Sequence, residues 1–159
     1  MQIRVIAVGR IKEKFLQEGI AEYEKRLRPY VKLQIVELAE EKRPQPASPA
    51  NESAAIVKEG ERILGAIPEG SFLITLEVHG ESWSSEDLAA LFGERELSGQ
   101  NFLTFVIGGD LGLAPGVIAR SNLRLSLSRM TFTHPMARFI LMEQVYRAFR
   151  ILRGEPYHK

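Results

Sequence analysis

The sequence has no cysteine among its 159 residues, which excludes disulfide bridges, thiolate metal sites and a cysteine nucleophile. It has no uninterrupted apolar run of the roughly 18 residues that a membrane-spanning helix needs. Its formal net charge is only +1, so the overall balance points to no class of partner. Its three histidines, His79, His134 and His158, lack the short spacings of metal ligands, so no metal site is expected.

The charges that are present are divided unevenly along the chain. Before Pro115 there are 13 basic against 18 acidic residues, and from Pro115 onward there are 8 against 2. The basic residues of this last part include seven arginines: Arg120, Arg124, Arg129, Arg138, Arg147, Arg150 and Arg153. Such a segment is either a solvated basic helix face or a surface for a polyanion such as nucleic acid.

Strand and helix patterns alternate along the chain. Apolar, β-branched runs predict strands at Gln2–Gly9, Val31–Leu38, Ser71–Val78, Asn101–Gly109 and Leu123–Ser128. Helical spacing, with a capping box at Ser84, predicts helices at Glu13–Arg28, from Asn51 or Ser53 to about Ile67, at Ser84–Gly99, Ala114–Ser121 and Thr133–Arg153. We therefore predict one α/β domain over residues 1–159, with a mainly parallel sheet of five to six strands and helices on both faces.

The stretch FVIGGDLGLAP, residues 105–115, places glycines at the end of the fourth predicted strand, where parallel sheets bind ligands. It matches neither the dinucleotide fingerprint nor the P-loop. Asp110 would repel a phosphate, so a cationic or neutral ligand suits this loop better. A turn that only reverses the chain remains the alternative.

The segment LSLSRMTFTHP, residues 125–135, connects the last strand to the long C-terminal helix. Its backbone could hydrogen-bond a flat polar ring while Met130 and Phe132 pack around it, although an ordinary strand-to-helix loop has the same pattern. The helix that follows is apolar over more than one stripe. It is either fully buried in one chain or packs against a second copy.

Six segments with a shared order and spacing resemble one known family. They are IRVIAVGRIK, LEVHGESWSSEDLA, FVIGGDLGL, LSLSRMTFTHPMAR, LMEQVYRAFRI and the terminal PYHK. Together they are similar, over the full length, to RlmH, the SPOUT-class methyltransferases of ribosomal RNA. Those enzymes act on N3 of a pseudouridine in 23S rRNA within the assembled ribosome, and a cytoplasmic location is therefore expected.

The resemblance implies a C-terminal trefoil knot, a homodimer and S-adenosylmethionine as the cofactor. It assigns the cofactor contacts to Leu76, Gly108, Leu127, Ser128, Arg129, Met130, Thr131 and Phe132. One departure concerns Asp110-Leu111, where many relatives have Pro-Glu or similar, and it leaves the role of Asp110 open.

The resemblance also makes the end of the chain functional. Tyr157 and His158 are the catalytic candidates, because an imide proton must leave before N3 can be methylated. Arg138, Arg150 and Arg153 are the candidates for contact with RNA. Three alternatives stay open: a SPOUT methyltransferase of transfer RNA, an α/β nucleotide-binding enzyme, and a ribosome-associated module without activity.

Overall fold

The computed structural model describes residues 1–42 and 45–157, in which strands and helices alternate. The strands are β1 Gln2–Val8, β2 Lys32–Leu38, β3 Phe72–Ser82, β4 Phe102–Ile107 and β5 Leu123–Ser126. The helices are α1 Lys14–Leu27, α2 Pro49–Ala66, α3 Ser85–Leu97, α4 Pro115–Arg120 and α5 His134–Leu152. Each of these helices lacks the length or the apolar character that a bilayer crossing requires.

The strands form one parallel sheet in the order β2-β1-β4-β3-β5. In its middle, Val5 of β1 lies opposite Phe105 of β4, and both side chains are buried. Helices cover the central strands on both sides, which explains their nearly continuous apolar sequence. The predicted α/β class and parallel sheet are confirmed, whereas the C-terminal knot stays a prediction.

Helices pack on both faces of the sheet. Side chains alternate along β4, so Phe105 meets the layer formed by α1, α3 and α5, where Phe149 is fully buried. Its neighbour Val106 meets the layer of α2 and α4, together with Ile63 and Val117. The two apolar layers hold the sheet rigid and fix the positions of its strand ends.

One predicted helix boundary is wrong, because α2 begins at Pro49 and not at Asn51 or Ser53. Ser48 is its N-cap, and the Ser48 hydroxyl accepts a hydrogen bond from the backbone N–H of Asn51 at 3.2 Å. Proline suits a first helical position because it has no N–H to leave unpaired. The capping box predicted at Ser84 is present and begins α3.

β3 extends past its predicted end because it contains a bulge. Its register against β5 shifts so that Leu76 and Glu81 both lie opposite Leu125, and residues 77–80 leave the ladder. Gly80 permits this geometry, since a Cβ there would lie 2.7 Å from a backbone carbonyl oxygen of the neighbouring strand. The bulge displaces residues 77–79 toward the carboxyl edge of the sheet.

Candidate functional site

A cavity of about 470 Å³ opens at the carboxyl ends of β3, β4 and β5. We call it the strand-end cavity. Its walls come from the β3 bulge, the turn between β4 and α4, the segment 127–133 and the start of α5. Six of the eight residues predicted to bind a cofactor line it: Leu76, Leu127, Ser128, Met130, Thr131 and Phe132.

Short hydroxyl contacts shape the segment 127–133. The Ser126 hydroxyl lies 3.0 Å from the Val78 carbonyl oxygen and 2.9 Å from that of Ser128, which joins this segment to the β3 bulge. The Ser128 hydroxyl accepts a hydrogen bond from the backbone N–H of Met130 at 3.0 Å. Met130 is 75% exposed at the cavity mouth, whereas Arg129 is exposed and does not line the cavity.

The glycine turn after β4 forms another wall. The Gly112 N–H donates to the Gly109 carbonyl at 2.9 Å, and Gly112 has a φ of +84°. Gly108 does not line the cavity, and a Cβ on it would lie 3.0 Å from the backbone of Gly112. Gly109 and Gly112 of the same turn line the cavity, and the predicted contact of Gly108 with a cofactor stays a prediction.

Two carboxylates contribute to the walls from different elements. Glu77 pairs with Arg124 at 2.8 Å and accepts a hydrogen bond from the Thr75 hydroxyl at 2.8 Å, and the contact with Glu77 raises the pKa of Arg124. At the mouth, Asp110 Oδ1 lies 2.7 Å from His134 Nε2. A cationic or zwitterionic ligand suits these walls better than a polyphosphate. Within residues 1–42 and 45–157, no three His, Asp or Glu residues are grouped to hold a metal ion.

Sequence reasoning did not select Glu77, Arg124 or His134 as site residues. The signal for Glu77 was weak, because only the bulge that follows Leu76 turns it into the cavity. His134 had a clearer signal, since it starts a helix directly after the segment already singled out. Its distance from the other histidines had argued only against a metal site.

Tyr157, one of the two predicted catalytic residues, packs between α5 and α1. Its ring centroid lies 4.9 Å from that of Tyr146, and its hydroxyl donates to Glu143 Oε1 at 3.1 Å. Burial, with a further contact to Tyr23, raises the pKa of the Tyr157 hydroxyl well above its ordinary value, so the phenol is uncharged at neutral pH. The other predicted residue, His158, lies outside the described residues.

The structure does not bring Tyr157 to the strand-end cavity of its own chain. Of the described α5 residues, Ala137 is the last that lines this cavity, while Tyr157 packs against Tyr146. Tyr146 lies nine residues after Ala137 on α5, which corresponds to about 13 Å along the helix axis at ~1.5 Å per residue.

The three arginines predicted to contact RNA have different surroundings. Arg138 is 3% exposed, donates to the Gly9 carbonyl at 3.0 Å and pairs with Glu37. It therefore ties α5 to the ends of β1 and β2, as a buried structural residue and not the exposed contact that the sequence suggested. Arg150 is half-buried and pairs with a tail carboxylate at 2.7 Å, and Arg153 is exposed. Contact of these two with RNA stays a prediction.

The whole chain is similar to known methyltransferases. The family described as "Predicted SPOUT methyltransferase" matches residues 1–158. The chain is 52% identical over 159 residues to the "Ribosomal RNA large subunit methyltransferase H" of Carboxydothermus hydrogenoformans, and 52% identical over 161 residues to that of Symbiobacterium thermophilum, with 100% of each chain covered. A solved structure, "The structure of a probable methylase family protein from Haemophilus influenzae Rd KW20", shares the fold with a TM-score of 0.53 at 12% identity, over 99% of this chain and 70% of that chain. The chain belongs to the SPOUT methyltransferase family.

Proposed function

We propose that this protein transfers a methyl group from S-adenosylmethionine to N3 of a pseudouridine in 23S rRNA within the assembled ribosome. The observation that carries the proposal is the 52% identity, over complete chains, to two proteins named as ribosomal RNA large subunit methyltransferase H. The match spans all of this chain, so it includes every segment that lines the strand-end cavity.

The strand-end cavity fits S-adenosylmethionine in size and in chemistry. Its volume of about 470 Å³ is in the range of small-molecule sites. Leu76, Leu127 and Phe132 offer apolar surface for an adenine ring, and the backbone beside them offers hydrogen-bonding groups. Asp110 supplies negative charge near a ligand that carries a sulfonium and an ammonium group, whereas the charge of Glu77 is offset by Arg124.

The residues of the chain have three tasks in this reaction: to exclude water, to align the reacting groups and to accept a proton. When bound, S-adenosylmethionine supplies a methyl group that is activated by the positive sulfur. The apolar wall excludes water, and the glycine turn and the segment 127–133 hold the reacting groups in line. Alignment of this kind contributes up to about 7–11 kcal/mol to catalysis. The remaining task is to accept the imide proton.

We assign Tyr157 to the strand-end cavity of a second subunit in a homodimer, and a catalytic role of His158 stays a prediction. Tyr157 packs against Tyr146, which lies about 13 Å along α5 from Ala137 at the cavity wall of its own chain, so a role in catalysis requires another copy. Exposed apolar side chains at the mouth, Met130 and Val78, offer a surface that a second copy would cover. A symmetric dimer would then have two composite sites.

Recognition of RNA is assigned to the basic C-terminal third, with Arg150 and Arg153 as phosphate or stacking contacts. This surface is small on each chain, because several of its arginines already pair with carboxylates. We therefore expect weak binding to free RNA and a dependence on the shape of the assembled ribosome. Because the proposed substrate is the ribosome, we assign the protein to the cytoplasm.

Transfer of labelled methyl from S-adenosylmethionine tests the proposal. Whole ribosomes, isolated large subunits, free ribosomal RNA and transfer RNA, all from a strain that lacks the modification, are offered side by side. We expect label only in the large-subunit RNA of whole ribosomes. Label in transfer RNA would instead support the alternative SPOUT substrate, and binding of ATP or NAD without S-adenosylmethionine would contradict a methyltransferase.

A further inference from the structure

Asp110 and His134 form a pair at the mouth of the strand-end cavity. Asp110 belongs to the turn after β4, and His134 is the first residue of α5, yet Oδ1 of the first and Nε2 of the second are 2.7 Å apart. Both residues line the cavity, and their side chains are 52% and 30% exposed, respectively. The pair is therefore within reach of a substrate that enters from solvent.

The Asp110 carboxylate determines which nitrogen of the His134 ring carries the proton. A contact of 2.7 Å to a carboxylate oxygen is favourable only when Nε2 carries the proton. In the neutral ring the other nitrogen, Nδ1, then holds a lone pair and can accept a proton. The same carboxylate stabilises the imidazolium that this transfer produces, which is the arrangement by which an aspartate supports a histidine base.

The other groups around the cavity are less suited to accept a proton. They are, by element, Glu77 and His79 on the β3 bulge and Arg124 on β5, with Arg138 of α5 next to the lining residue Ala137. Glu77 is engaged by Arg124, and Arg138 is buried against Glu37. In the described part of the chain, His79 has no carboxylate contact like the one between His134 and Asp110.

We propose that His134, oriented by Asp110, accepts the N3 proton of the target base during methyl transfer, a role for which the family resemblance had suggested the tail residues Tyr157 and His158. This inference rests on the proposed function. The N3–H bond breaks and its electron pair forms the new N3–carbon bond, while the carbon–sulfur bond of the sulfonium donor breaks with its pair remaining on sulfur. The proton moves to Nδ1 of His134, so a neutral base, a cationic donor and a neutral imidazole give a neutral methylated base, a thioether and an imidazolium.

The test is the single-turnover rate of methyl transfer to whole ribosomes between about pH 6 and about pH 9, for the wild type, His134→Gln, His79→Gln and Asp110→Asn. At pH 7 we expect His134→Gln to be at least about 100-fold slower than the wild type, because general-base catalysis contributes on the order of 100- to 10,000-fold. The difference in rate between His134→Gln and the wild type becomes smaller as the pH rises, because the imide then loses its proton to solvent and does not need a base on the protein. Asp110→Asn shows a smaller deficit with the same trend, as a positioning residue should. The dissociation constant for S-adenosylmethionine, measured by calorimetry, stays within about twofold of the wild type for His134→Gln.

Four outcomes would overturn the inference. They are a His134→Gln rate near that of the wild type, a deficit that is equal at every pH, a deficit explained by weaker S-adenosylmethionine binding, and the pH signature appearing in His79→Gln instead. Failure of the proposed function is distinguishable, because the wild-type protein itself would then leave ribosomal RNA unlabelled. That result would overturn both proposals.

Discussion

Replacement of Arg138 by methionine tests whether this residue is structural or contacts RNA. Methionine keeps much of the apolar stem but removes the donors to the Gly9 carbonyl and to Glu37. A hydrogen bond from a charged donor contributes about 1.5–3 kcal/mol, and the pair with Glu37, which is 38% exposed, adds at most about 1 kcal/mol. Arg138 Nε is buried without a partner in the described chain, and losing it offsets part of the cost. We expect a loss of about 2 kcal/mol in the free energy of unfolding.

Urea unfolding at one fixed protein concentration measures this loss, because the stability of a dimer depends on concentration. Arg138→Lys is the matched control: it keeps the charge but cannot reproduce the forked contact, so it should also be destabilised, by about 1 kcal/mol. Ribosome affinity, followed over a range of salt concentrations, should keep the wild-type slope in both variants. The reasoning is refuted if Arg138→Met unfolds like the wild type while its salt slope falls by about one unit, the mark of a lost phosphate contact.

Two further substitutions test the cavity wall and the tail. Gly108→Ala places a Cβ 3.0 Å from the backbone of Gly112, so we expect S-adenosylmethionine to bind at least about tenfold more weakly in a calorimetric titration, while Gly65→Ala, in open space on α2, binds as the wild type does. Equal affinities would show that the turn does not shape the site. Because the pKa of the Tyr157 hydroxyl is raised in the folded chain, its contribution to the free energy of unfolding should be constant below about pH 10 and be lost above it. Tyr157→Phe should therefore make the fall above that pH less steep in urea titrations, with Tyr30, whose pKa is also raised, causing part of what is left. A fall of the same steepness in the variant would contradict the assigned burial.

The fold was largely predictable because its signals are local or follow from burial. The apolar run around Phe105 indicates a strand covered on both faces, and Ser84 with Asp87 marks the start of α3 through two short-range hydrogen bonds. The start of α2 was mispredicted because Ser48, Asn51 and Ser53 are all residue types that suit an N-cap. Only the hydrogen bond from the Asn51 N–H to the Ser48 hydroxyl identifies Ser48 as the N-cap. The β3 bulge depends on the fit of Gly80 against another strand, which no local pattern reveals.

The candidate site was predictable where a motif follows a strand. The segment 127–133 follows β5 and Leu76 directly precedes the β3 bulge, and the topology brings them together in one cavity. Arg138 could not be judged from sequence, because its burial depends on Glu37, about a hundred positions earlier, being placed beside it. The same holds for Asp110 and His134, whose contact exists only when the β4 turn meets the start of α5.

Nucleoside analysis of large-subunit RNA by mass spectrometry tests the central claim most directly. Ribosomes from a strain that lacks the modification are incubated with S-adenosylmethionine and either the wild-type protein or Gly108→Ala. We predict that N3-methylpseudouridine appears with the wild-type protein and is strongly reduced with the variant. Methylation of a different nucleoside, or no new methylated nucleoside although S-adenosylmethionine binds, would contradict the account.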